Sequence, residues 1–124
     1  MTTAITITVQ GLVLQAEFFD TPCARAAAGK LPISAHPDEW GDEFYFGIPL
    51  ACDADATATT LVRVGDIGYW PPGRALAIFF GPTPMSTGAE PVPASEVNIV
   101  GRIIGDATVL RRAKGAGLIR IEKL

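Results

Sequence analysis

The run from Gly65 to Pro82, Gly-Asp-Ile-Gly-Tyr-Trp-Pro-Pro-Gly-Arg-Ala-Leu-Ala-Ile-Phe-Phe-Gly-Pro, constrains the fold more than any other part of this chain. Two apolar, aromatic-rich segments flank Pro71-Pro72-Gly73-Arg74. Proline presets φ for an early turn position and glycine accepts the positive φ that side-chained residues avoid, so the tetrapeptide marks a turn. The flanks carry Ile67, Tyr69, Trp70, Ile78, Phe79 and Phe80, residue types that suit a half-buried pleated surface. Together these signals predict a hairpin at the centre of an all-β domain. Four of the chain's aromatic residues lie in it, so the hairpin is expected to line whatever pocket the molecule has.

The remaining segments extend the same theme. Ile5 to Val9 alternates apolar and polar residues with the period of a strand that has one wet face, and Leu12 to Phe19 returns after Gln10-Gly11 as a second strand. Asp20 or Thr21 supplies an N-cap oxygen, Pro22 fits the first helical turn, and Cys23 to Ala28 is strong helix-forming material. Residues 31–41 read as a loop, Glu43 to Ile48 as a strand, 51–60 as an exposed connection and Leu61 to Val64 as a short strand. Four prolines make 81–94 irregular, and a loop that long in a compact domain is functional or mobile. Val97 to Ile104 and Leu118 to Leu124 read as strands, with one helical turn between them at Ala107 to Arg112. Seven or eight short strands with one clear helix indicate a barrel or a sandwich. The alternation in both terminal segments suits pairing of the two ends.

Composition then excludes several function classes. A chain of 124 residues fits one domain, here taken as residues 1–124, and buries roughly 65% of its unfolded surface without needing disulfides. Net charge is −3 with no basic patch, so no nucleic-acid partner is expected. No apolar run approaches the roughly 20 residues that span a bilayer, and residues 1–20 carry no basic n-region, so neither a membrane nor a signal peptide is expected. Cys23 and Cys52 stand apart and outside any CxxC pattern, which fits two free thiols in a reducing, cytoplasmic setting. His36, Asp38, Glu39, Asp42 and Glu43 cluster in sequence but lack metal-ligand spacing, so no metal and no cofactor are expected.

Five groups of residues converge on one family: Phe18-Phe19-Asp20-Thr21-Pro22-Cys23-Ala24, Trp40 to Phe46, Gly65 to Pro71, Phe79 to Pro84, and Asn98 to Ile103. Over nearly its whole length the chain resembles the atypical prokaryotic cyclophilin-like domain family. The resemblance implies a closed eight-stranded antiparallel β-barrel with one or two short helices over the open ends. True cyclophilins are peptidyl-prolyl isomerases, yet their Phe-His-Arg segment has no counterpart between Phe44 and Arg63, and their Gln-Gly-Gly-Asp motif is missing. Their Gln-Phe-Phe strand reads Ile78-Phe79-Phe80 here, and their groove histidine falls on Val97.

Three functional readings follow. The first is a domain that binds a small molecule or a proline-containing peptide in an aromatic groove. Trp40, Tyr45, Tyr69, Trp70 and Phe80 are its candidate lining, with Pro82 beside them, and the ordinary alternative is that these aromatics fill the core. Glu43, at a strand start after Trp40-Gly41-Asp42, is a carboxylate able to face that groove. The second is a divergent peptidyl-prolyl isomerase with Phe80 as floor and Arg102 or Arg74 as donor to the twisted amide. Both arginines read more readily as solvated charges, Arg74 at a turn and Arg102 at a strand end. The third is an interaction module whose exposed aromatics form a homodimer surface.

Overall fold

The computed structural model describes residues 1–124 and is mainly β. Its strands are β1 (Thr3–Val9), β2 (Leu12–Phe18), β3 (Ile33–Ala35), β4 (Asp38–Glu39), β5 (Glu43–Gly47), β6 (Asp66–Trp70), β7 (Ala75–Phe79), β8 (Asn98–Ile103) and β9 (Ile119–Lys123). One α-helix, α1 (Pro22–Ala28), and two 3-10 segments, Pro71–Gly73 and Ala107–Ala113, complete the fold. Thr21 caps α1 by accepting from the Ala24 amide, and Pro22 occupies the first turn, where its missing N–H costs nothing.

All nine strands belong to one sheet in the order β3-β9-β1-β2-β8-β6-β7-β5-β4, every neighbouring pair antiparallel. This corrects the expected closed barrel of eight strands. The sheet has nine, and its hydrogen bonding stops at β3 on one side and β4 on the other. Those two edges are separated in sequence only by His36-Pro37. At 3.8 Å per Cα step, Ala35 and Asp38 lie at most about 11 Å apart, so the sheet must curl until its edges nearly meet. The result is a half-barrel tethered at its seam by two residues. The chain ends do pair, Ile5 to Val9 against Lys123 to Ile119, but inside the sheet and not at the seam.

Alternation sorts the strand residues into two faces. The concave face holds a 26-residue apolar cluster that includes Ile5, Ile7, Phe18, Phe44, Phe46, Ile67, Tyr69, Leu76, Ile78, Val100, Ile119 and Ile121. Cys23, Ala24 and Ala27 of α1 and Ala107, Leu110 and Ala113 of the second 3-10 segment plug its ends. β7 is buried on both sides. Its Ala77 and Phe79 point outward into a second, four-residue cluster with Val62 and Val97, against which Tyr45, Trp70 and Ile99 pack.

Local expectations also need correction: residues 31–41, expected as a loop, contain the short strands β3 and β4. Leu61 to Val64 forms no strand, because both edges of β6 are already taken by β7 and β8, and only Thr59 bridges to Val97. In the hairpin, Arg74 takes the left-handed conformation at φ 47, and Gly73 serves a different need. A Cβ on Gly73 would lie 2.6 Å from Cε3 and Cζ3 of Trp70, so glycine is required there by the indole ring resting on the backbone.

Candidate functional site

The outward face of the sheet carries an apolar concavity with a carboxylate residue in its wall. Strands β5, β7, β6 and β8 lie side by side, and register places Tyr45 opposite Ala77, Ala77 opposite Gly68, and Trp70 opposite Ala75. The middle of this face therefore bears only small residues, while Tyr45, Phe79 and Trp70 stand around it. Gly68 brings the next piece into place: a Cβ there would lie 2.8 Å from a Val97 methyl, so its absence lets Val97 lie against the sheet. A cavity of about 230 Å³ results. The sheet side of its lining is Glu43, Tyr45 and Trp70, with Trp40 from the β4–β5 turn, and Pro93, Ala94 and Val97 form the opposite wall.

Hydrogen bonds hold the two walls together. The Trp40 amide donates to the Glu43 carbonyl at 3.1 Å, closing the tight turn between β4 and β5. The Trp70 indole N–H donates to Ser95 Oγ at 2.7 Å, tying the hairpin tip to the long loop. Within that loop the Thr83 hydroxyl donates to the Val92 carbonyl, and Ser86 Oγ donates to the Glu90 carbonyl at 2.7 Å. Proline-rich as it is, the segment is braced internally and forms a wall of the pocket.

Glu43 is the unusual group. It is only 7% exposed, and its Oε1 has no hydrogen-bond partner. Burial pushes its carboxyl up to about 7. Asp42, one residue earlier and therefore facing the other way, has the opposite fate. Burial pushes Asp42 up as well, but Lys114 at 2.7 Å and Arg111 at 2.8 Å outweigh it and leave the carboxyl below its ordinary value. Two adjacent acids are thus driven apart in proton affinity, Glu43 by burial and Asp42 by its two cationic partners. A carboxyl that titrates near neutrality in an apolar cleft can accept or donate a proton, or meet a cation.

Of the nine residues singled out in the sequence, the structure gathers four at this cavity: Trp40, Glu43, Tyr45 and Trp70. The other five lie elsewhere. Tyr69 is fully buried on the concave face, its hydroxyl donating to the Leu50 carbonyl at 2.5 Å and accepting from the Cys52 amide. Phe80 is also in that core, tilted against Phe44 with ring centroids 4.8 Å apart. Pro82 is exposed, and its carbonyl accepts from Asp42. Arg102 sits opposite both Glu17 and Asp66 on neighbouring strands and donates to Glu17 Oε1 at 3.2 Å. Arg74 is exposed at the hairpin turn. The floor and donors of the isomerase reading are therefore not brought together. Pro93, Ala94 and Val97 were not among the candidate site residues, although the resemblance to cyclophilins places their groove histidine on Val97. No group of three or more His, Cys, Asp or Glu is gathered that could hold a metal ion.

The model of the cyclophilin-like family matches residues 3–122. The chain belongs to the cyclophilin-like family. A solved structure similar to this cyclophilin-like chain is the solution structure of the hypothetical protein AF2241 from Archaeoglobus fulgidus. The two are 31% identical, with a TM-score of 0.80, over 98% of this chain and 95% of that one. No curated protein matches. No helix of the cyclophilin-like chain is long and apolar enough to cross a membrane.

Proposed function

We propose that this cyclophilin-like chain acts as one binding domain over residues 1–124, taking a small molecule or a peptide segment in the cavity between Trp40, Tyr45 and Trp70. The observation that carries this reading is the unpartnered, buried carboxylate of Glu43 in an otherwise apolar aromatic wall. Pockets that select ligands combine apolar and aromatic lining with a few placed polar groups, and an unsatisfied one is costly unless something meets it. A cytoplasmic setting belongs to the same proposal, supported by the two cysteines, both of them free thiols.

The chain's only two tryptophans both border the cavity, so selectively excited tryptophan emission reports on residues of this site. A mixed panel of small amines, acids, neutral fragments and X-Pro peptides is expected to yield at least one saturable emission change. Ala94 lies at the exposed rim, so Ala94→Phe should abolish that change without unfolding the protein. A panel without a single saturable ligand would end the reading. A protease-coupled prolyl isomerisation assay is expected to stay at background. A rate above background that Ala94→Phe removes would put the isomerase in its place.

A further inference from the structure

The cavity has one carboxylate and three large aromatic residues in its lining, and their combination selects a ligand class. This step rests on the binding reading above and specifies its occupant. Glu43 is more than nine-tenths buried, and its Oε1 lacks a donor. None of the other lining residues is Arg, Lys or His, so the wall supplies no counter-charge of its own. Arg111 and Lys114 pair with the neighbouring Asp42, and no ion pair involves Glu43. Aromatic faces attract a cation placed over them, most strongly where it is desolvated, and Trp and Tyr are the favourable ring types. The complement to this arrangement is a positive N–H donor on a short apolar stem.

We propose that the cavity takes a protonated primary alkylamine, its ammonium donating to the Glu43 carboxylate and its stem lying among Trp40, Tyr45 and Trp70. Size agrees. At ~30 Å³ per water-sized group, about 230 Å³ accommodates roughly seven such groups, enough for an ammonium on four or five carbons. A free amine and a lysine side chain of a peptide present the same chemistry. Binding is linked to pH through Glu43. Tyr45 is the only other titratable residue in the lining, β7 contributes the uncharged Ala77 and Phe79, and burial is the sole cause of the Glu43 shift. Affinity for the ammonium therefore rises with pH while Glu43 ionises, and levels off above about 7.

The test titrates the full chain at pH 8 and constant ionic strength with n-butylammonium, N-acetyl-lysine methylamide and n-butanol, read by tryptophan emission. Both amines are expected to saturate, with n-butanol, equal in heavy atoms but uncharged, at least tenfold weaker. Glu43→Gln should weaken the amines roughly tenfold to a hundredfold, as for a lost hydrogen bond to a charged group, and leave n-butanol unchanged. Its melting temperature at pH 8 should not fall, because it removes a buried charge. Repeating the titration at pH 5 should weaken the amines in the wild type and not in Glu43→Gln. Tighter binding of the lysine derivative identifies a peptide source, and tighter binding of n-butylammonium a free amine. Either order supports the proposal. Equal affinity for n-butanol and n-butylammonium, or amine binding indifferent to Glu43→Gln, overturns it. If the amines fail in this way while the mixed panel yields saturable neutral ligands, the binding domain stands and only the amine assignment falls.

Discussion

At the scale of single residues, strand alternation turns neighbouring side chains into chemically different groups. Glu43 in the unliganded protein binds its proton more tightly when folded than when unfolded. Stability from this group is therefore full below pH 4.5 and is lost as pH rises through about 7. A shift of that size corresponds to about 3 kcal/mol at most. Urea denaturation at pH 5 and pH 8 should show wild type losing stability across the interval while Glu43→Gln stays nearly flat; parallel curves would refute the assignment. Cys23 gives a second expectation. A thiol in the first turn of a helix is ordinarily acidified by the dipole. Here burial, with the neighbouring Cys52 adding to it, pushes Cys23 up to about 12. Ellman's reagent on the native protein should titrate the half-buried Cys52 first and reach Cys23 only after denaturation.

At the scale of elements, the central hairpin and the long loop act on each other through Trp70. Its ring covers Gly73, and its N–H is bound by Ser95. Gly73→Ala should force the indole away, costing about 1–3 kcal/mol through overpacking and shifting tryptophan emission. Unchanged emission would mean that the ring does not rest there. Asn98, fully buried at the start of β8, similarly organises the segment 51–60. It accepts from the Asp55 amide at 2.9 Å and donates to the Asp53 carbonyl at 3.0 Å. Asn98→Ala leaves both backbone groups without that partner and should cost about 1–3 kcal/mol, with faster amide exchange at Asp55. Elements of this kind differ in legibility. Helix α1 and the hairpin were readable because cap, proline and turn residues act locally. β3 and β4 were not, because three and two residues carry no period, and their strand character comes from pairing with β9 and β5.

At the scale of the whole molecule, the last strand decides whether the sheet exists. β9 lies between β1 and β3, is the only partner of β3, and buries Ile119 and Ile121 completely. Losing two such isoleucines costs about 4–10 kcal/mol, comparable to the total stability of an ordinary domain. Deleting Ile119 to Leu124 should therefore abolish cooperative thermal unfolding by circular dichroism. A sharp transition near the wild-type temperature would show that the half-barrel persists without its terminal strand.

What this sequence determined alone is the class of fold and the ingredients of the site. Alternating apolar residues, Pro-Pro-Gly-Arg and the capped alanine helix are short-range signals, and short-range sterics and burial are enough to specify strands, turns and one helix. Trp40 and Trp70 stood out because they sit beside a polar loop and a turn, and Glu43 because it begins a strand, whereas Tyr45 carried the same signal as Tyr69 and Phe80. Only the tertiary structure decided that Tyr69 and Phe80 face the core while Trp70 faces the cavity. Likewise, it decided that Asp42 is paired and Glu43 is not, and that Val97, some fifty residues from Glu43, closes the same wall. Each of those outcomes depends on which strands become neighbours and in what register. That information lies in long-range pairing, which no local pattern encodes.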